Sequence, residues 1–114
     1  MDKSAIAALI PDLVSPDDTV RQAALRALYA GDEAAAVILC DLVAAGLNEV
    51  QTCAVLAVLG DIGGFDALML LLDVFYFEPR PRIKEAAAHA LKRNTANLNA
   101  QERTDLEEFL DDPS

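Results

Sequence analysis

Only a few side chains of this protein combine a reactive type with a useful spacing. Glu85 and His89 are four residues apart, so on a helix they would face the same way and could form part of a metal site. His89 is the only histidine among the 114 residues, however, and two ligands do not make a metal site. The pattern therefore predicts a solvated Glu–His pair, with no metal and no cofactor.

The two cysteines give no stronger indication of chemistry. Cys40 and Cys53 lack the spacing of metal-binding or redox motifs, so we expect two buried free thiols in a reducing compartment, the cytoplasm. The sequence contains no glycine-rich phosphate loop, nucleophile elbow or Cys–His pair. These observations predict a protein without catalytic residues that is not an enzyme.

Charge narrows the class of partner. The formal net charge is −10 at pH 7, which argues against a binder of nucleic-acid phosphates and against docking on anionic lipid. The distribution is uneven, because residues 1–78 contain twelve acidic and three basic side chains, whereas residues 79–93 contain five basic and one acidic. The basic stretch either pairs with acidic neighbours or docks an acidic partner. We expect another protein as partner, and neither nucleic acid nor membrane.

Apolar residues recur with the period of helices. Three stretches align, with small or aliphatic residues on one helical face: VRQAALRAL (20–28), VQTCAVLAV (50–58) and IKEAAAHAL (83–91). A second apolar pattern precedes each of them, with Ile10, Leu39 and Leu71 at matching positions. Two helices in every 30 to 33 residues are typical of an α-solenoid. The predicted fold is therefore all-α, an α–α superhelix of three helical hairpins spanning about 4–30, 32–60 and 64–93.

Turn and capping residues mark the ends of these predicted helices. Ser15, followed by a proline and two acids, has the character of an N-cap, and Asn48 looks like the start of a capping box. Gly31 separates the first two hairpins. A last helix is predicted over 99–111, with one apolar and one acidic face, as a cap on the open end of the stack.

Several of these motifs have a familiar form: the strings SPDDTVRQAALRAL and EPRPRIKEAAAHAL, Pro11 inside the first helix, and VLGDIGG at 58–64. Together they resemble the HEAT-repeat family, especially the short repeats of phycobilisome-lyase subunits, over about residues 4–93. The resemblance implies a right-handed stack in which the second helix of each pair lines a concave side. It also implies a role in protein binding. A minority of the family are enzymes, namely bilin lyases, a di-iron hydroxylase and DNA glycosylases.

The concave side gives the main candidate site. If the aligned positions face the core, the opposite face of the middle helix is apolar, with Leu56 and Leu59, whereas its two neighbours are polar there. We predict a leucine-centred patch that receives a peptide or helix of a partner. Alternatively, flanking side chains cover both leucines, or the patch joins two copies in a homodimer. The residues of the patch are Arg26, Tyr29, Leu56, Leu59, Glu85, His89 and Lys92.

A second candidate site is the stretch VFYFEPRPR at 74–82. It places Tyr76 and Phe77 close to Arg80 and Arg82. The rings either pack against the last helix or form a recognition loop with the arginines.

The function predicted from all these observations is a non-catalytic scaffold or adaptor that binds a partner protein through its concave face. An accessory subunit of a bilin-lyase-type enzyme is the alternative.

Overall fold

The computed structural model describes residues 2–96 and Thr104, and these residues are helical apart from short turns. The helices are α1 (Lys3–Leu13), α2 (Asp18–Ala45), α3 (Glu49–Ile62), α4 (Phe65–Phe77) and α5 (Pro81–Ala96). The described part contains no strand, which confirms the all-α prediction. The predicted capping helix at 99–111 lies outside the described residues, except that Thr104 is helical and exposed.

Helix α2 consists of two straight segments that meet at Asp32. The backbone of Asp32 has φ 50° and ψ −136°, so the helix is interrupted there. Residues 18–31 and 33–45 therefore act as separate helices, so that each of the three predicted pairs of helices coincides with two helical segments among residues 3–96, while their arrangement as a superhelix stays a prediction. The interruption falls one residue after Gly31, which was predicted to separate the first two hairpins, and the residue with the positive φ is a non-glycine residue, Asp32.

Side chains at the helix starts explain where the helices begin. Asp17 is the N-cap of α2, since its carboxylate accepts a hydrogen bond of 2.9 Å from the backbone N–H of Thr19. The hydroxyl of Ser15 instead accepts from the backbone N–H of Asp17, so the prediction of Ser15 as the cap is wrong by two residues. Asn48 caps α3 as predicted, with its side chain 2.8 Å from the N–H of Gln51.

The core is built around α3, which contacts each of the other four helices. It comes close to α5 at Gly60, where an added Cβ would lie 2.7 Å from the carbonyl oxygen of Ala90 and 2.8 Å from its Cα. A glycine at position 60 therefore permits the two backbones to approach. Burial on several sides also accounts for the absence of charge from residues 50–60, since a charge buried there would need a partner.

The first helices of the three pairs follow the predicted register. Ile10, Leu39 and Leu71, which align in the sequence, are all buried. The same holds for the aligned position four residues earlier, where Ile6, Ala35 and Ala67 are at most 2% exposed. The apolar pattern of these helices therefore identifies their buried face correctly.

The register predicted for α3 is correct at Val58, which is 2% exposed, but wrong at the start of the helix. Val50, which was aligned with core positions of the other second helices, is 63% exposed, whereas Thr52 on the opposite side is buried. The fully buried residues Leu28, Leu59 and Ala90 instead recur at intervals of 31 residues. The sequence alignment used separations of 30 and 33 residues between the second helices. It therefore assigned to the core a face of α3 that is rotated from the one that is buried.

Candidate partner-binding surface

Leu56 and Leu59 do not form the centre of an exposed patch. Both side chains have 0% of their surface exposed, because they lie on the face of α3 that packs into the core. Neighbouring helices cover them, so no partner can reach them in this fold. The prediction of an exposed leucine patch is therefore wrong, and its cause is the rotated register of α3.

The outer face of α3 carries four other residues at helical spacing. Val50 and Asp61 are exposed, and Ala54 and Ala57 between them are partly exposed. These positions fall on one stripe of a helix with 3.6 residues per turn. On this face, α3 therefore exposes mostly short side chains to solvent, with a valine at one end and a carboxylate at the other.

A row of hydrogen bonds joins three helices at the Asp61 end of this stripe. The hydroxyl of Tyr29 in α2 donates to Oδ2 of Asp61 at 2.8 Å, and Nε of Arg93 in α5 donates to Oδ1 at 2.8 Å. Nη2 of Arg93 also donates to the carbonyl oxygen of Ala57 at 3.1 Å. The second helices of all three pairs are thus bridged side by side through one carboxylate.

The bridge alters the acid–base behaviour of Tyr29. Partial burial, then the hydrogen bond to Asp61 and the negative charge of Asp61, raise the pKa of Tyr29 to about 12, while the charge of Arg93 acts in the opposite direction. The phenol is therefore protonated at neutral pH and remains the hydrogen-bond donor to the carboxylate.

The remaining residues predicted for the concave surface are exposed. Arg26 lies on α2, and Glu85, His89 and Lys92 lie on α5. Nε2 of His89 is 3.7 Å from Oε1 of Glu85, and both side chains are open to solvent, as predicted for a solvated pair. Among the described residues, no group of three or more His, Cys, Asp or Glu side chains could hold a metal ion.

The two thiols are free, but they are only partly buried rather than fully buried as predicted. Sγ of Cys40 lies 3.7 Å from the carbonyl oxygen of Asp66, and Sγ of Cys53 lies 3.8 Å from that of Arg82. Burial raises the pKa of Cys40 to about 11 and also raises the pKa of Cys53. Both thiols therefore remain protonated at neutral pH and act as weak donors between helices rather than as nucleophiles.

The second candidate site lies at the junction of α4 and α5. Tyr76 and Phe77 belong to the last turn of α4, not to a loop, and both rings are more than half exposed. The alternative in which these rings pack against the last helix, 99–111, involves residues outside the described part of the chain and stays a prediction. Arg80 and Arg82 are also exposed, and Arg80 binds Glu78 through Nε and Nη2 at 2.7 and 3.3 Å.

Sequence reasoning missed Asp61 and Arg93. Asp61 lies in a glycine-rich stretch that was interpreted only as the end of a helix, and Arg93 was counted only as one of five basic residues. A usable signal was present, because Tyr29, Asp61 and Arg93 are spaced by 32 residues, close to the repeat length. Polar residues that recur at the repeat length are candidates for contacts between neighbouring repeats.

Comparisons with known proteins give no relative from which a role could be transferred. No protein-family model matches the chain, and no curated protein and no solved structure shows significant similarity to it. Within the described residues, no helix combines the length and apolar character needed to cross a membrane. The geometry of the surface is therefore the basis for inferring a function.

Proposed function

We propose that this protein is a short HEAT-like α-solenoid that works as a non-catalytic scaffold. In this proposal, a segment of a partner protein binds along the surface formed by the second helices. The supporting observation is the bridge from Tyr29 through Asp61 to Arg93, which holds three helices side by side. A surface that is ordered before binding loses less conformational entropy when a partner arrives.

The chemistry of this surface suits a protein segment better than a small molecule. Its middle consists of short side chains, Ala54 and Ala57, with more bulk only at Val50. Long polar side chains flank the middle on both sides: Arg26 and Tyr29 on α2, and Glu85, His89 and Lys92 on α5. A helix or extended segment could lie against the alanines while the flanking groups bond to its polar side chains.

The test is partner capture with charge-reversed variants. Arg26→Glu combined with His89→Glu changes both flanks of the surface, and Lys3→Glu changes an exposed residue of α1 as the matched control. We expect a partner that co-purifies with the unaltered protein and with Lys3→Glu, is lost with the double variant, and rebinds when purified. Equal capture by all three folded proteins would contradict the proposal. A coloured partner or a bound chromophore would favour the role of lyase accessory subunit.

A further inference from the structure

The end of α4 combines exposed rings with basic side chains that the surface described above does not use. Phe77 is 78% exposed, more than any other large apolar residue in the described part of the chain. Tyr76 is held in place, because its ring packs edge-on against Phe75 with the centroids 5.3 Å apart. Arg80 and Arg82 follow within five residues of Phe77 and are exposed.

The positive charge at this junction is only partly balanced. Glu78 pairs with Arg80, and Glu49 also attracts Arg80 at longer range. Arg82 forms no ion pair with a described residue, and Nζ of Lys84 lies over the Phe75 ring at 5.6 Å from its centroid. The first turn of α5 contains no acidic residue to offset these cations, although acids are the residues that a helix start favours.

The opposite end of the same helix provides a contrast. Phe65 in the first turn of α4 is 72% exposed, almost as much as Phe77, but its neighbours include Asp66 and Glu33. The ring at the start of α4 therefore lies among acids, whereas the ring at its end is followed by three cations, Arg80, Arg82 and Lys84, and has the acids Asp73 and Glu78 nearby in the sequence. Ring exposure alone does not distinguish the two ends, whereas charge does.

We propose that Tyr76, Phe77 and Arg82 form a second docking surface, which binds an acidic segment of a partner protein that carries an aromatic or long aliphatic side chain. The apolar side chain would pack on the Phe77 ring, and carboxylates would bond to the guanidinium of Arg82. Charge complementarity selects this partner, because residues 1–78 carry twelve acids and three bases and repel an acidic segment elsewhere. Its residues differ from those named for the first surface, although Arg82 lies in the first turn of α5.

The test is fluorescence anisotropy with a labelled peptide in which glutamates surround a central Phe-Leu pair. We expect saturable binding at low salt that weakens at high salt, since exposed charges are screened. Phe77→Ser should weaken binding roughly tenfold and Arg82→Gln about fivefold, with Phe65→Ser within about twofold of the unaltered protein. Peptides with Gln for Glu, or with Ala-Ala for Phe-Leu, should not bind. Thermal melts of each variant check that it is folded.

Several outcomes would overturn the proposal. These are an absence of peptide binding, equal weakening by the two serine variants, or binding that the exchange of Glu for Gln leaves unchanged. If the protein instead binds vesicles of phosphatidylserine and phosphatidylcholine, and Phe77→Ser abolishes this, the surface contacts lipid. If sedimentation shows self-association that Phe77→Ser removes while the peptide fails to bind, the occupant is a second copy. The Arg26→Glu, His89→Glu variant should bind the peptide normally, which keeps this test independent of the first surface.

Discussion

The phenol of Tyr29 and the carboxylate of Asp61 are joined by a hydrogen bond of 2.8 Å, although 32 residues separate them in the sequence. Arg93, a further 32 residues along, binds the other oxygen of the same carboxylate. Since one acidic side chain connects three helices, its replacement affects two hydrogen bonds at once. Most exposed ion pairs, in contrast, contribute little to stability.

We predict that Asp61→Asn lowers the free energy of unfolding by about 1 kcal/mol, because the acceptor loses its charge and the amide has only one oxygen for two donors, while solvent exposure limits the loss. Urea unfolding followed by circular dichroism measures the change. Asp73→Asn, an exposed carboxylate of α4, is the control and should change stability by less than about 0.5 kcal/mol. In a double-mutant cycle, Tyr29→Phe and Arg93→Gln should be coupled when Asp61 is present and additive in Asp61→Asn. Additive effects in both backgrounds would contradict the bridge.

The ionisation of Tyr29 should occur at unusually high pH. Because the pKa of Tyr29 is raised from 10.0 to about 12 in the folded state, the fold favours the protonated phenol. The resulting stabilisation is complete below pH 10 and is lost as the pH rises through about 12. In Tyr76→Phe, Tyr29 is the only tyrosine, and ultraviolet absorbance can follow its titration. Adding Asp61→Asn should bring the pKa closer to 10, and a titration that is unchanged by this substitution would be evidence against the hydrogen bond.

Gly60→Ala should destabilise the protein by about 1–3 kcal/mol, since the new methyl group would meet the backbone of α5. The contacts would be at 2.7 Å to the carbonyl oxygen and 2.8 Å to the Cα of Ala90, which cannot be relieved by a change of side chain. Ala90→Gly should therefore fail to rescue Gly60→Ala in urea unfolding. Recovery of full stability in the double variant would show that the backbones are farther apart than described.

A pair of truncations tests the orientation of α3. Leu56→Ala should lower the free energy of unfolding by about 2–5 kcal/mol, because it leaves a cavity in the core. Val50→Ala, on the exposed side, should change stability by less than about 0.5 kcal/mol. The exposed fractions of 0% for Leu56 and 63% for Val50 are the basis for this difference. The reverse order in thermal or urea unfolding would restore the register predicted from the sequence.

Asp32→Gly should stabilise the protein by about 0.5–1 kcal/mol, because glycine adopts a positive φ without the steric cost that a Cβ imposes. Asp32→Ala should give no such gain, since it keeps the Cβ at φ 50°. Calorimetric melting temperatures of the two variants and the unaltered protein measure the difference. Equal melting temperatures for the glycine and alanine variants would show that position 32 is not strained.

The sequence was sufficient to predict the helices but not the orientation of every one of them. Turn residues and apolar periodicity define the helix ends to within a few residues, and Asn48 caps α3 as its residue type suggests. The rotation of α3 could not be predicted, because Val50, Ala54 and Ala57 are compatible with either a core or a surface position. Burial of this helix depends on its contacts with four other helices, and the residue pattern of α3 alone contains no information about those contacts.

The candidate surface was predictable to a similar degree. Arg26, Glu85, His89 and Lys92 are exposed as their polarity suggests, because charged groups are rarely buried without a partner. The bridge through Asp61 was not anticipated, since it depends on how three helices align in space. The sequence left open whether the ring of Phe77 is covered or exposed, because a phenylalanine in an apolar helix is more often part of a core.

The central position of α3 determines the order in which parts of the protein unfold. An isolated repeat can detach from either end of a stack, whereas α3 loses its cover only when helices on several sides of it separate. Backbone amides of α3 should therefore exchange with deuterium only through unfolding of the whole domain, and those of α1 through smaller openings. The backbone of residues 55–60, within the segment that has no charge, would then be among the last parts of the described chain to exchange.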